Sequence, residues 1–205
     1  LKLVVALSRA KKSGWTGLEA FAGIPGTVGG AVCMNAGSAL GETSDQLVDV
    51  TVVLQGGDLL ALTRQELDFN YRTSKLPKGA IVAWARFQTT GQALGASSER
   101  MTQFLAKRKA TQPLDLPSCG STFRNPPGDY AGRLVEASGL KGFTMGGAMV
   151  SEKHANFVVN TGGATASDIR RVMQHMQRVV ERDHGVHLVP EVHFFGDWTD
   201  WRGDG

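Results

Sequence analysis

Residues 23–37 read GIPGTVGGAVCMNAG, with five glycines, one proline and no charged side chain. So bare a stretch brings little apolar surface to a core. It belongs where a positive φ or the close approach of another group is needed. Two readings follow. One is a sharp loop packed between two elements. The other is a loop whose free N–H groups cradle a phosphate or a cofactor ring. The spacing matches neither G-x-x-x-x-G-K-[ST] nor G-x-G-x-x-G after a strand, so both stay open at this point.

Around this loop the pattern is mixed. Leu3, Val4 and Leu7 share a helical face, and Gly14 is a C-terminal stop. VGGAVCMNAG has room for a short helical turn. Residues 47–64 hold two apolar runs around Gln55-Gly56-Gly57-Asp58, a hairpin signal. Thr63-x-x-Glu66 predicts a capping box opening a single turn, RQEL, and residues 80–88 predict a strand. A helix is expected over 97–109 with Met101, Phe104 and Leu105 on one face. Residues 111–130 carry Pro113, Pro117, Pro126 and Pro127, which forbid long regular structure, and an extended loop of this kind is often functional. A short helix ending at Gly139 and a strand at 156–160 follow. The clearest helix is 166–184: Thr165 and Asp168 cap it, Gly185 stops it, and Ile169, Val172, Met173, Met176, Val179 and Val180 form its apolar stripe. VHLVPEVHFFG predicts a final strand whose Pro190 implies an edge or a bulge. The fold class is α+β.

At 205 residues the chain can form one large domain or two small ones, and its net charge of +3 suits an anionic small molecule as well as nucleic acid. The clusters Lys11-Lys12, Lys107-Arg108-Lys109 and Arg170-Arg171 lack interleaved aromatics and are expected to be solvated helix faces rather than a nucleic-acid surface. Cys33 and Cys119 form no C-x-x-C pair, which fits a reducing compartment. No apolar run approaches the roughly 18 residues of a membrane span. The five histidines show no zinc spacing, and no metal is expected.

Three segments carry candidate chemistry. Ser121, in PSCGSTFRNP, is held by a preceding glycine and surrounding prolines; it is either an exposed reactive hydroxyl or a loop serine bonding its own backbone. Asn125 either reads a ligand phosphate or ties the turn. Glu191, in VPEVHF, is either re-aimed into a site by the proline or pointed to water. Arg72, beside Tyr71 in NYRTS, is either a clamp for a carboxylate or phosphate or a surface ion-pair partner. His154, in SEKHANF, closes a loop.

Taken in order, the blocks GLEAFAGIPGTVGGAVCMNAG, FNYRTSKLP, QPLDLPSCGSTFRNP, AGRLVEASGLKG, GGAMVSEKHANFVVN and VPEVHFFG resemble the UDP-N-acetylenolpyruvoylglucosamine reductases, flavoenzymes of peptidoglycan precursor synthesis. The match looks like the shorter form of the family. The resemblance implies an FAD-binding domain, here its C-terminal part at residues 1–100 rejoined by a last strand at 189–205, and a substrate-binding domain at 105–188. It implies that Gly23, Ile24, Pro25, Gly26, Thr27, Gly29 and Gly30 line the FAD site. The implied reaction carries a hydride from NADPH by way of FAD to C3 of an enolpyruvyl ether on a UDP-sugar. Ser121 looks like the proton donor to C2. Arg72 and Glu191 match the residues that stabilise the enolic intermediate, and a protonated Glu191 would require a raised pKa in a dry pocket. Tyr71 and Asn125 are implied substrate contacts. Leu40 stands where the family commonly places an aromatic. The family also has an earlier segment with a glycine-rich pyrophosphate loop, so a non-catalytic UDP-sugar-binding fragment is the alternative. The expected location is cytoplasmic, with the UDP-sugar and NADPH as small-molecule partners and no membrane insertion or obligate protein partner.

Overall fold

A computed structural model describes residues 1–91, 94–199 and 201. The chain divides into two units, Leu1–Lys107 and Arg108–Gly205.

The first unit begins with α1 (Leu3–Lys12), which ends at Ser13 and Gly14, the latter at φ 77°. Leu3 is fully buried, but Val4 is 65% exposed and so is not part of the expected apolar face. Leu3, Ala10, Leu18 and Phe21 form a small core, with the Phe21 and Phe87 rings edge to face at 5.5 Å. α2 (Val28–Met34) follows the glycine loop. A two-residue ladder, β1 (Gly37–Ser38) and β2 (Gly41–Glu42), leads into the short helix α3 (Thr43–Gln46). The predicted hairpin is present: β3 (Leu47–Val53) pairs antiparallel with β4 (Leu59–Thr63) across the Gln55–Asp58 turn. β5 (Ile81–Phe87) adds to the other side of β3, giving the order β4-β3-β5. Val50, Val52 and Leu67 meet Val32 of α2 in a second core. Thr63 and Glu66 exchange the expected bonds, with the Thr63 N–H donating to Glu66 Oε2 at 2.7 Å, but residues 64–68 form a turn rather than a helix.

α4 (Leu94–Thr111) is longer than expected at both ends. Met101 of its predicted face is buried, whereas Leu105 is 44% exposed.

The second unit is a four-stranded antiparallel sheet in the order β6 (Ser118–Ser121), β9 (Phe157–Asn160), β8 (Ala148–Val150), β7 (Thr144–Met145). α5 (Ala131–Ala137) and α6 (Ala166–His184) contribute Leu134, Val135, Val172, Met173, Met176 and Val180 to its core. The α6 capping box is as the sequence predicts. Thr165 Oγ1 accepts from the Asp168 N–H at 3.1 Å, and Asp168 Oδ2 accepts from the Thr165 N–H at 2.9 Å. Gly147 in the β7–β8 turn has no room for a side chain, since a Cβ there would lie 2.5 Å from Ala164 N and Gly162 O.

The expected final strand is not one. Pro190 cannot donate to a ladder, and the segment makes a single antiparallel bridge, Phe123 with Pro190. Val189 O accepts from the Arg124 N–H at 2.9 Å, and the Glu191 N–H donates to Thr122 O at 2.9 Å. These bonds tie residues 189–191 to the second unit, where the expectation joined 189–205 to the first. The Arg170-Arg171 pair also differs from a solvated face: Arg170 stacks on Phe194, Trp198 and Trp201. Among the described residues, no helix is long and apolar enough to cross a membrane.

Candidate functional site

The glycine loop is held from both sides. The Leu3 N–H donates to Gly26 O at 3.0 Å and the Val28 N–H to Leu1 O at 2.9 Å. Thr27 caps α2, its hydroxyl accepting from the Gly30 N–H at 3.1 Å. Between these attachments much of the loop is exposed. Gly23, Pro25, Gly26, Thr27 and Gly30 are exposed, while Ile24 turns inward to the core. Gly26 has φ 145°, and nothing lies within 4 Å of where its Cβ would be. Gly29 approaches Val82, whose Cβ is 3.5 Å from the place of a side chain. A flat group pressed against bare backbone fits these residues.

Tyr71 and Arg72 form the apex of a two-residue turn, closed by the Asn70 N–H to Thr73 O at 3.1 Å and the Thr73 N–H to Asn70 O at 3.2 Å. Arg72 sits at φ 58°, a region ordinarily filled by glycine or asparagine in such turns. Its guanidinium carbon is 4.9 Å from the Tyr71 ring centre, and Nη2 donates to Gly37 O at 3.4 Å. What anchors this turn is a residue that sequence reasoning missed. Asn35, buried and itself left-handed at φ 41°, ends α2. Its Nδ2 donates to Glu42 Oε2 at 2.8 Å and to Asn70 O at 3.2 Å, and its Oδ1 accepts from the Ser44 N–H at 3.0 Å.

In the second unit Ser121 ends β6. Ser118 pairs with Val159 and Ser121 with Phe157, so three steps on β6 answer two on β9. The extra residue makes a β-bulge at Cys119–Gly120, with Gly120 at φ 84°. Such bulges re-aim the side chain that follows. Ser121 is half-buried, and the next residues are fixed by Asn156, a second buried asparagine missed in the sequence. Asn156 Oδ1 accepts from the Phe123 N–H at 3.0 Å, and its Nδ2 donates to Phe123 O at 2.8 Å. The Glu191 N–H bond to Thr122 O places Glu191 beside the residue after Ser121. Asn125 Oδ1 accepts from the Ala131 N–H at 3.1 Å, so Asn125 ties its turn to the start of α5. His154 does close a loop: its Nδ1 accepts from the Asn156 N–H at 3.2 Å, and burial pulls its pKa below the ordinary histidine value. The second unit thus brings Ser121, Asn125 and Glu191 onto connected segments, while Tyr71, Arg72 and residues 23–30 belong to the first. Among the described residues, no three His, Cys, Asp or Glu side chains are grouped to hold a metal ion.

Residues 4–63 match the family described as FAD binding domain. Residues 112–195 match the UDP-N-acetylenolpyruvoylglucosamine reductase C-terminal domain. The crystal structure of the Thermus caldophilus reductase superposes with a TM-score of 0.81 at 38% identity, covering 91% of this chain and 68% of that one. The chain belongs to the UDP-N-acetylenolpyruvoylglucosamine reductase family. The reductase of Agathobacter rectalis is 45% identical over 197 residues, 96% of this chain and 63% of that protein. That of Synechocystis is 47% identical over 198 residues, 93% of this chain and 62% of that protein. The chain therefore spans about three fifths of the length of the curated reductases it matches.

Proposed function

We propose that these residues serve the NADPH- and FAD-dependent reduction of UDP-N-acetylglucosamine enolpyruvate to UDP-N-acetylmuramate, in the cytoplasm. The observation that carries the reading is the bulge-mounted Ser121 with Glu191 hydrogen-bonded to the adjoining residue, Thr122, inside the domain that matches this reductase family. Residues 23–30 would hold FAD through exposed backbone, because side chains there would keep a ring at a distance. Once bound, that group supplies the hydride for C3 of the enolpyruvyl ether, with NADPH as the electron source.

The chain's own task is then to manage charge and a proton. Addition of hydride at C3 leaves negative charge on C2 and its carboxylate. Arg72 is a cation for that charge, and Glu191 shares a proton with the enolic oxygen. The Ser121 hydroxyl gives its proton to C2, and the alkoxide regains one from solvent. A hydroxyl is a feeble acid, but the enolate is a strong base, so fixed position outweighs acidity. Tyr71 and Asn125 hold the sugar nucleotide.

The test is an absorption titration of the chain with FAD, followed by anaerobic NADPH and then the enolpyruvyl UDP-sugar. A saturable flavin spectrum, bleached by NADPH and restored by the sugar nucleotide, is the expected result. A colourless chain that still binds the UDP-sugar would replace the reductase reading with that of a sugar-nucleotide-binding fragment.

A further inference from the structure

We propose that Phe194, Trp198 and Trp201 close as an aromatic clamp on Arg170 and thereby fix the backbone at Glu191. The proposal rests on the reading of Glu191 as a site residue, and it makes Arg170, Trp198 and Trp201 positioning residues.

Arg170 lies in the first turns of α6, and its guanidinium carbon is 5.1 Å from the Phe194 ring centre, 4.7 Å from Trp198 and 4.8 Å from Trp201. The rings also meet one another edge to face, Phe194 with Trp198 at 5.4 Å and Trp198 with Trp201 at 5.5 Å. The segment is shaped for this. Asp197 Oδ1 accepts from the Thr199 N–H at 2.9 Å, and Trp198 Nε1 donates to Phe195 O at 3.0 Å, which closes a tight turn. Arg170 Nη1 is buried and has no hydrogen-bond partner among the described residues, so the ring faces are what stabilise that part of the cation.

Glu191 lies between this clamp and an upstream anchor. Leu188 is fully buried, and its carbonyl accepts from Gln177 Nε2 at 2.7 Å. Val192 packs against the core just after Glu191. Downstream of Val192 the ring cluster stacks on Arg170, with the Arg171 guanidinium carbon also 5.6 Å from the Trp201 ring centre, and opening the clamp is expected to loosen one side of Glu191. Arg170 and Phe194 lie within the match to the reductase C-terminal domain, residues 112–195, and Trp198 and Trp201 follow it. Only a planar guanidinium can present its faces to several rings at once, so lysine is a poor substitute.

Amide hydrogen exchange on the chain tests this. Arg170→Ala and Trp198→Ala are each expected to speed exchange at the Glu191 and Arg124 amides by about tenfold while β9 stays protected. Arg170→Lys should fall between, and Trp198→Phe, which keeps a ring, should restore protection. If Arg170→Ala fails to fold, the Trp198 pair carries the comparison. Unchanged exchange at Glu191 in the alanine variants overturns the proposal. An equal rise throughout β9 overturns it too, since the rings would then be general stabilisers. The measurement needs no substrate, so failure of the reductase reading, visible as absent flavin and sugar-nucleotide binding, is separate from failure of the clamp.

Discussion

Removing the Asn35 side chain should unfold the first unit at much lower denaturant while leaving no exposed residue changed. Asn35 is 1% exposed and makes three hydrogen bonds, one to the Glu42 carboxylate and two to backbone groups at Ser44 and Asn70. A neutral buried bond contributes about 1 kcal/mol and one to a charged group about 1.5–3 kcal/mol, so the three together amount to roughly 3–5 kcal/mol. Asn35→Gly isolates that loss, because glycine tolerates φ 41°. Asn35→Ala adds the left-handed strain of a Cβ, about 1–2 kcal/mol more. Asn35→Asp keeps an acceptor for the Ser44 N–H but sets a carboxylate against Glu42, so it should be as damaging as alanine. The assay is urea unfolding followed by fluorescence in a Trp198→Phe, Trp201→Phe background, where Trp15 and Trp84 of the first unit remain. With a slope of about 1.5 kcal/mol/M for a unit of this size, the glycine variant's midpoint should fall by about 2–3 M. A midpoint within about 0.3 M of the parent would refute the reasoning, and the anchoring of the Tyr71–Arg72 turn would have to be sought elsewhere.

Ser121→Ala should lower kcat by about 10²–10³ with little change in KM, the pattern of a group that acts only in the transition state; equal loss in binding would argue against a proton donor. Gly147→Ala should cost about 1–3 kcal/mol or more in thermal or urea stability, because the atoms its Cβ would strike are backbone. His154 should titrate below 6.5 by NMR. Its folded pKa is depressed, so stability is fully present above the unfolded value near 6.5 and declines as pH falls from there to the folded pKa; His154→Gln should flatten that slope. An imidazole titrating at or above 6.5 would contradict the burial that is invoked.

What the sequence made legible was what lies within a few residues of itself. The α6 stripe and its Thr165–Asp168 box, and the β3–β4 hairpin around Gln55–Asp58, are contiguous patterns, and the structure shows each where it was expected. Failures arise where the decisive partner is remote. VHLVPEVHFFG alternates like a strand, yet ladder formation depends on donors that Pro190 lacks and on what residues 122–124 leave free. The bulge before Ser121 exists only by comparison with β9, so no local reading of PSCGSTFRNP could count it. Asn35 and Asn156 carry no periodic signal, and they act on backbone 35 and 33 residues away. The glycine loop shows how the two readings of one motif can merge. Thr27 and the Leu1–Leu3 backbone use some of its polar groups for packing, while Gly26 keeps open space where a side chain would stand, the feature that the cofactor reading calls for. The same division holds at the other candidate residues. Ser121, Arg72 and Glu191 are recognisable by type, but each is set in place through main-chain bonds whose other ends give no hint of chemistry. A search for candidate site residues by side-chain type alone therefore finds the groups proposed to react and misses the asparagines that hold them.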